Sequence, residues 1–446
     1  MPDRAGNSQY VKNGRVKVFV QSFGCRASQA DGAAIEAAFK THGCEITPQS
    51  GDAGLVVLNT CTVTASADLD VRRAIRNLHR ERPGREILVT GCYAQRAPEE
   101  LAQLPGVTWV IGNSHKHRIA ELVLLQSREE YHGQVIAADM SGQTEFAASL
   151  AGDVREDRTR PNLKIQDGCS NRCSFCIIPS VRGRSRSAPA DQVLAQVRDL
   201  AGRYCEIVLS GINLGRWGRD LAGSPRFTGL LQRIVNETAI RHLRISSVEP
   251  MDWTQELLEL IASEPRIAKH VHLPLQSGCD AVLKRMFRKY RTRHYASRVE
   301  LARKLMPDAA IGADVMTGFP GETDGEFTES LRFIEEQPFT YLHVFTYSER
   351  PGTAAAALPN PVPVPVRRER TSILRELSER KNREFRSRMT GKTIRAITLE
   401  QRGMALTTNF LKLEMAVARA PNQMLDFDIG GVTEAGLRER SAFPIL

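Results

Sequence analysis

Three cysteines stand within eight residues in Cys169-Ser170-Asn171-Arg172-Cys173-Ser174-Phe175-Cys176, on a predicted loop after the strand-like run Leu163-Lys164-Ile165. Soft thiolates in such a cluster select iron-sulfur clusters, zinc or copper. A 4Fe-4S cluster held wholly by protein takes four cysteines. This loop supplies three, so one iron would be left without a protein ligand, and an open position on a metal marks a catalytic site rather than a closed structural one. The competing reading is a zinc site completed by a distant His or Cys, although zinc pairs usually come as two C-x-x-C arms.

Three further cysteines, Cys25, Cys61 and Cys92, are far apart in sequence but share a local setting. Each lies shortly past an apolar run: Val18-Phe19-Val20, Leu55-Val56-Val57-Leu58 and Ile87-Leu88-Val89. Helical patterns over 30–39, 67–78 and 98–104 alternate with these runs, which predicts βαβ units on a parallel sheet. The carboxyl ends of the strands in such a sheet share one edge, where ligands bind. The three cysteines can therefore converge there.

The loop of Cys169 needs a different frame. A helix over 190–203 and a strand over 206–209 follow it. Strand and helix pairs then recur at 242–246 with 253–262, 270–273 with 281–287, and 310–315 with 326–335, before a last strand at 341–345. This alternation predicts a partial or full β/α barrel with its active site at the carboxyl ends of the strands. Residues 120–160 are polar, with a charged stretch over 153–160, and read as a linker or connecting hairpin. The proline-rich 359–365 precedes a charged helix over 367–389, and alternating stretches at 394–399 and 409–417 read as a small β domain. The expected organisation is an N-terminal α/β domain over 15–125, a linker over 126–158, a barrel domain over 159–390 and a β domain over 391–446.

Cys-x-x-x-Cys-x-aromatic-Cys resembles the signature of radical S-adenosylmethionine (SAM) enzymes. The resemblance implies that SAM chelates the open iron and that Phe175 borders its adenine. An electron from the cluster then splits SAM into methionine and a 5′-deoxyadenosyl radical. It extends to the methylthiotransferases, which add an N-terminal domain whose three cysteines hold a second 4Fe-4S cluster. Gly24-Cys25, Asn59-Thr60-Cys61-Thr62-Val63-Thr64 and Thr90-Gly91-Cys92-Tyr93-Ala94-Gln95 match those positions. The family therefore implies a flavodoxin-like N-terminal domain, a radical SAM partial barrel and a C-terminal β domain. That last domain is similar to the RNA-holding TRAM barrel through Gly391-Lys392 and Leu406-Thr407-Thr408-Asn409-Phe410-Leu411-Lys412. Cys25, Cys61 and Cys92 become ligands of one cluster, and Cys169, Cys173 and Cys176 ligands of the other.

Within the barrel, Leu209-Ser210-Gly211-Ile212-Asn213 matches a glycine motif set against the SAM amino group. Ser246-Ser247-Val248-Glu249-Pro250, His272-Leu273-Pro274-Leu275-Gln276-Ser277-Gly278 and Asp314-Val315-Met316-Thr317-Gly318-Phe319-Pro320-Gly321-Glu322-Thr323 look like segments lining the cavity. Gly211, Glu249 and Gln276 are the expected SAM contacts. Two departures are Arg26 where the family often has lysine, and Ser210 before Gly211 where threonine is commoner. Cys44, Cys205 and Cys279 match no ligand position and read as packing cysteines.

The chain has 446 residues, enough for two to four domains on the usual size prior. No apolar run approaches the ~20 residues of a membrane span, and the opening Met1-Pro2-Asp3-Arg4-Ala5-Gly6-Asn7 lacks the apolar core of a signal peptide. A cytoplasmic setting is expected, in which nine cysteines read as ligands or thiols rather than disulfides. The net charge of +10 favours a polyanionic partner. Two basic runs beside the clusters, Arg182, Arg184 and Arg186 with Arg288, Lys289 and Arg291, are the expected phosphate contacts.

Three activities of the family share this machinery: methylthiolation of threonylcarbamoyl-adenosine in tRNA, of isopentenyl-adenosine in tRNA, and of a ribosomal-protein aspartate. Asn59 to Thr64, Lys164 to Cys169 and Cys176-Ile177-Ile178-Pro179 resemble the threonylcarbamoyl branch most. The expected substrate is then carbon 2 of that adenosine in the anticodon loop, with flavodoxin or ferredoxin as electron donor and no side chain acting as a conventional nucleophile. From other classes, a non-catalytic iron-sulfur RNA-binding protein and a radical SAM enzyme for a small metabolite remain alternatives.

Overall fold

The computed structural model describes residues 16–124, 133–144, 146 and 159–441. The opening Met1 to Asn7 and most of the charged stretch 153–160 lie outside them. The chain divides into two units, the first comprising Met1–Val154, Asp167–Asn171 and Cys176–Arg186, the second the remainder.

The first unit runs β1 (Lys17–Ser22), α1 (Arg26–Thr41), β2 (Glu45–Ile46), β3 (Leu55–Thr60), α2 (Ala65–Glu81), β4 (Glu86–Gly91), α3 (Cys92–Arg96), α4 (Pro98–Ala102), β5 (Val107–Gly112), α5 (Ile119–Leu124) and β6 (Gln134–Ile136). The strands form a six-stranded sheet in the order β2-β1-β3-β4-β5-β6, parallel throughout. Every residue of β3 is buried, as a central parallel strand covered on both faces requires. Val56 and Leu58 pack with Val71 and Ile75 of α2, while Leu55 and Val57 pack with Ile35 and Phe39 of α1. Strand β6 falls inside the stretch read as a linker and pairs with β5. The N-terminal fold therefore continues past 125; three residues were too short a run to register as a strand.

Gly91 ends β4 with φ +97, and a Cβ there would come within 2.4 Å of the Thr60 carbonyl oxygen. Backbone at that distance cannot yield as a flexible side chain can. Gly91→Ala is expected to cost about 2–4 kcal/mol from overpacking and left-handed strain and to displace Cys92; chemical unfolding of the variant measures it.

The second unit, with the loop and helix that intervene, continues through β7 (Asn162–Asp167), α6 (Ile178–Arg182), β8 (Arg186–Ser187), α7 (Ala190–Ala201), β9 (Glu206–Gly211), α8 (Phe227–Glu237), β10 (His242–Ile245), α9 (Gln255–Ser263), β11 (His270–Gln276), α10 (Asp280–Arg285), α11 (Thr292–Leu305), β12 (Ala310–Thr317), α12 (Asp324–Glu336), β13 (Tyr341–Thr346) and α13 (Val364–Ser387). Its strands order as β10-β9-β7-β8 and β11-β12-β13. The stretch before β11 joins the two sheets: Leu243 N–H donates to the Arg266 carbonyl at 2.7 Å, and Ala268 N–H to the Leu243 carbonyl at 2.9 Å. The result is the partial form of the expected barrel. Alternation along the strands sets Val271, Leu273, Ile311 and Ala313 against the helices and turns His270, His272, Asp314, Tyr341 and the exposed His343 to the opposite face.

The chain ends in a closed five-stranded barrel of β14 (Thr393–Thr398), β15 (Met404–Thr407), β16 (Lys412–Glu414), β17 (Met424–Val432) and β18 (Leu437–Glu439). Ala396, Leu413, Phe427, Ile429 and Leu437 fill it. The predicted strand over 409–417 is in part a turn, with Phe410 at φ +66, whose ring stacks on His270 at 4.3 Å. Among the described residues no helix is long and apolar enough to cross a membrane.

Candidate functional site

Cys25, Cys61 and Cys92 follow β1, β3 and β4, neighbours in the first sheet. Cys25 is the N-cap of α1, and Cys92 is the first residue of α3. Their loops are tightly packed: a Cβ on Gly24 would lie 2.8 Å from Cys61 Sγ. Cys25 is exposed, whereas Cys61 and Cys92 are buried. Burial pushes the Cys61 thiol up to about 12, and the neighbouring Cys92 and Cys25 add to it. Three thiols brought together at neighbouring strand ends are a donor set for a metal, whose binding displaces their protons. The arrangement fits an iron-sulfur cluster with an open iron.

One basic side chain enters this set. Arg182, at the end of α6, donates through Nε to Cys92 Sγ at 3.2 Å, through Nη1 to Asp167 at 2.9 Å, and through Nη2 to Asp31 at 2.9 Å and to Ser28 Oγ at 3.4 Å. Burial opposes its charge, but Cys92, Asp167 and Asp31 outweigh that and hold the guanidinium above its ordinary range.

Cys169, Cys173 and Cys176 lie on the loop between β7 and α6. In the second unit, buried Arg288 donates to Cys173 Sγ at 3.2 Å and pairs with Glu249 at 2.6 Å. Phe175 packs with Met316, Phe345 and Tyr347. Gln276 closes β11 beyond a register shift, at φ +68. Its side-chain oxygen and that of Ser210 are buried without a hydrogen-bond partner among the described residues. An orphaned acceptor at a strained backbone position, as at Gln276, is a candidate ligand contact; Gln276 is one of the expected SAM contacts, and Ser210 adjoins another, Gly211. Gly211 also has a packing role, since a Cβ there would lie 2.9 Å from the Gln166 side chain.

On neighbouring strands of the barrel, buried His272, partly buried Asp314 and exposed His343 bring ligand atoms within 4.8 Å of one another. Asp314 Oδ1 is 3.4 Å from His272 Nε2 and 3.3 Å from His343 Nδ1, while His272 Nδ1 meets Ser247 Oγ at 2.7 Å. Burial pushes the Asp314 carboxyl up, but His343 and His272 outweigh it and hold it below its ordinary range. The sequence reading placed the segments of His272 and Asp314 at the cavity and missed His343; period-two alternation on β13 carries the signal.

The arginines expected to grip phosphate divide. Arg182, Arg186 and Arg288 are 2%, 6% and 7% exposed, so they have no surface to offer RNA. The charges of Arg182 and Arg288 are spent on carboxylates and thiols. Arg184 and Lys289 are exposed, and half-buried Arg291 donates to the Arg288 and Tyr290 carbonyls. Cys205 packs with Ile397 and Leu406 of the C-terminal barrel, Cys279 donates to Glu329 at 3.2 Å, and Cys44 packs against the first sheet's core.

Residues 17–112 match the model of an uncharacterized protein family, UPF0004, and residues 163–334 that of the radical SAM superfamily. The threonylcarbamoyladenosine tRNA methylthiotransferase MtaB of Aquifex aeolicus is 36% identical, over 90% of this chain and 96% of its own. A tRNA-2-methylthio-N(6)-dimethylallyladenosine synthase of Syntrophobacter fumaroxidans is 35% identical over 81% and 80%. Among solved structures, the radical S-adenosylmethionine methyltransferase TsrM from Kitasatospora setae shares the fold, with a TM-score of 0.56 at 16% identity, over 77% of this chain and 74% of that one.

Proposed function

Because the chain belongs to the radical SAM methylthiotransferase family, which works with two 4Fe-4S clusters and SAM, we propose that it methylthiolates N6-threonylcarbamoyladenosine at position 37 of tRNA, on carbon 2. Cys25, Cys61 and Cys92 would hold one cluster, and Cys169, Cys173 and Cys176 the other. When bound, these groups supply radical hydrogen abstraction and sulfur transfer. The protein's own work is to bind, orient and exclude water. Gln276, Ser210 and Gly211 offer polar contacts to SAM, Phe175 an apolar wall, and Glu249, fixed by Arg288, a carboxylate for its amino group. Arg184, Lys289 and Arg291 are the proposed RNA contacts, with the C-terminal barrel. The setting would be cytoplasmic, with reduced flavodoxin or ferredoxin as donor.

The polar barrel interior carries the choice of substrate. Ser247, His272, Asp314 and His343 can meet the hydroxyl, ureido N–H and carboxylate groups of a threonylcarbamoyl substituent. An isopentenyl chain would offer no polar partner to buried His272 or to partly buried Asp314 and Ser247, at about 1–3 kcal/mol for each group left unsatisfied, whereas exposed His343 keeps its access to water. The name of the Aquifex relative supports the same choice. The reconstituted enzyme, given SAM and a reductant, is expected to convert tRNA bearing threonylcarbamoyladenosine and to leave isopentenyladenosine tRNA unchanged, as read by mass spectrometry of nucleosides. Conversion of the isopentenyl substrate alone would transfer the assignment to that activity.

A further inference from the structure

Arg182 reaches more of the cluster machinery than any packing role requires. It donates directly to Cys92 Sγ at 3.2 Å and to Ser28 Oγ at 3.4 Å, and that hydroxyl lies 3.8 Å from Cys25 Sγ. Its carboxylate partners are also placed by the cysteines: Asp31 sits on the helix that Cys25 caps, and Asp167 two residues ahead of Cys169. Arg182 itself ends the short helix after Cys176, where Ile177 and Val181 pack on Cys92. One 2%-exposed guanidinium thus ties the segments bearing Cys25, Cys92, Cys169 and Cys176.

We propose that Arg182 is a positioning residue that sets the reduction potential of the N-terminal cluster, through its hydrogen bond to the Cys92 sulfur. The inference rests on the reading that Cys25, Cys61 and Cys92 hold a 4Fe-4S cluster. Reduction adds negative charge that spreads onto the ligand sulfurs, and an N–H donor aimed at one of them from a dry interior stabilises that charge. The potential is therefore higher with the donor than without it. A donor to a ligand sulfur tunes a metal without touching it.

The test uses the full chain carrying Cys169→Ala/Cys173→Ala/Cys176→Ala, so that the N-terminal cluster alone remains. Arg182→Met/Asp31→Asn removes the donor with no net change of local charge, and Arg182→Lys keeps a cationic donor without the guanidinium fork. Iron per chain and the midpoint potential of the cluster, followed by electron paramagnetic resonance during reductive titration, are measured for each. The expected result is unchanged iron, a lower potential in the double variant and a smaller drop in the lysine variant. An unchanged potential at full iron overturns the proposal. So does loss of iron from both variants while circular dichroism stays that of the parent, because Arg182 would then serve assembly and not potential. If the parent with Arg182 intact holds no iron, the two-cluster reading fails instead.

Discussion

Cys25→Ala/Cys61→Ala/Cys92→Ala is expected to reduce the iron of the anaerobically reconstituted protein from about eight to about four per chain, the content of one 4Fe-4S cluster. Methylthio transfer should fall below detection, while SAM cleavage to 5′-deoxyadenosine continues. The dissociation follows from where the cysteines stand. Cys25, Cys61 and Cys92 follow three neighbouring strands of the first sheet, whereas the radical SAM signature lies on the loop after β7, where Cys173 accepts from Arg288, of the turn between α10 and α11, which pairs with Glu249, of the segment after β10. Iron analysis with product chromatography decides the matter. Wild type holding only four irons, with the triple variant unchanged, would reduce the protein to a simpler radical SAM enzyme.

The cysteines were legible because they are chemically rare and follow apolar runs; the strands that present them are mostly continuous hydrophobic stretches, such as the wholly buried β3. The arginines were not. Arg182 and Arg184 are two residues apart with the same local composition, yet one is buried against Asp31 and Asp167 and the other is exposed. Nothing local announces a carboxylate that arrives from a distant segment, so a basic run reads as a surface when part of it is an interior ion-pair network. Helix α11 was hidden for a related reason: its arginine-rich start reads as part of a solvated basic run, while Tyr295, Val299 and Ala302 supply its buried face. In the C-terminal barrel, a polar hairpin with Phe410 at φ +66 masked the strand boundaries although the β character itself was plain.

Glu206→Ala is expected to destabilise the protein by about 3–5 kcal/mol, the usual cost of breaking a buried ion pair from one side. Glu206 is fully buried and accepts from His242 Nδ1 at 2.7 Å, from Arg244 at 3.0 Å and from Arg160 at 3.3 Å. Arg244 also donates to the Thr407 carbonyl at 3.1 Å, so the network joins the floor of the β/α barrel to the C-terminal barrel. Burial pushes the Glu206 carboxyl up, but Arg244 and His242 outweigh it and hold its pKa well below the ordinary carboxylate range. A carboxyl whose folded pKa is depressed contributes stability in full above its unfolded value of about 4.3, and loses it as pH falls from there toward the folded value. Glu206→Gln keeps the shape and removes that charge. The gap in urea midpoint between wild type and Glu206→Gln should therefore be constant from pH 7 to pH 5 and narrow below pH 4.3. A gap that widens on acidification would mean that Glu206 is protonated in the folded state, and the two arginines would then have to be neutralised by another group.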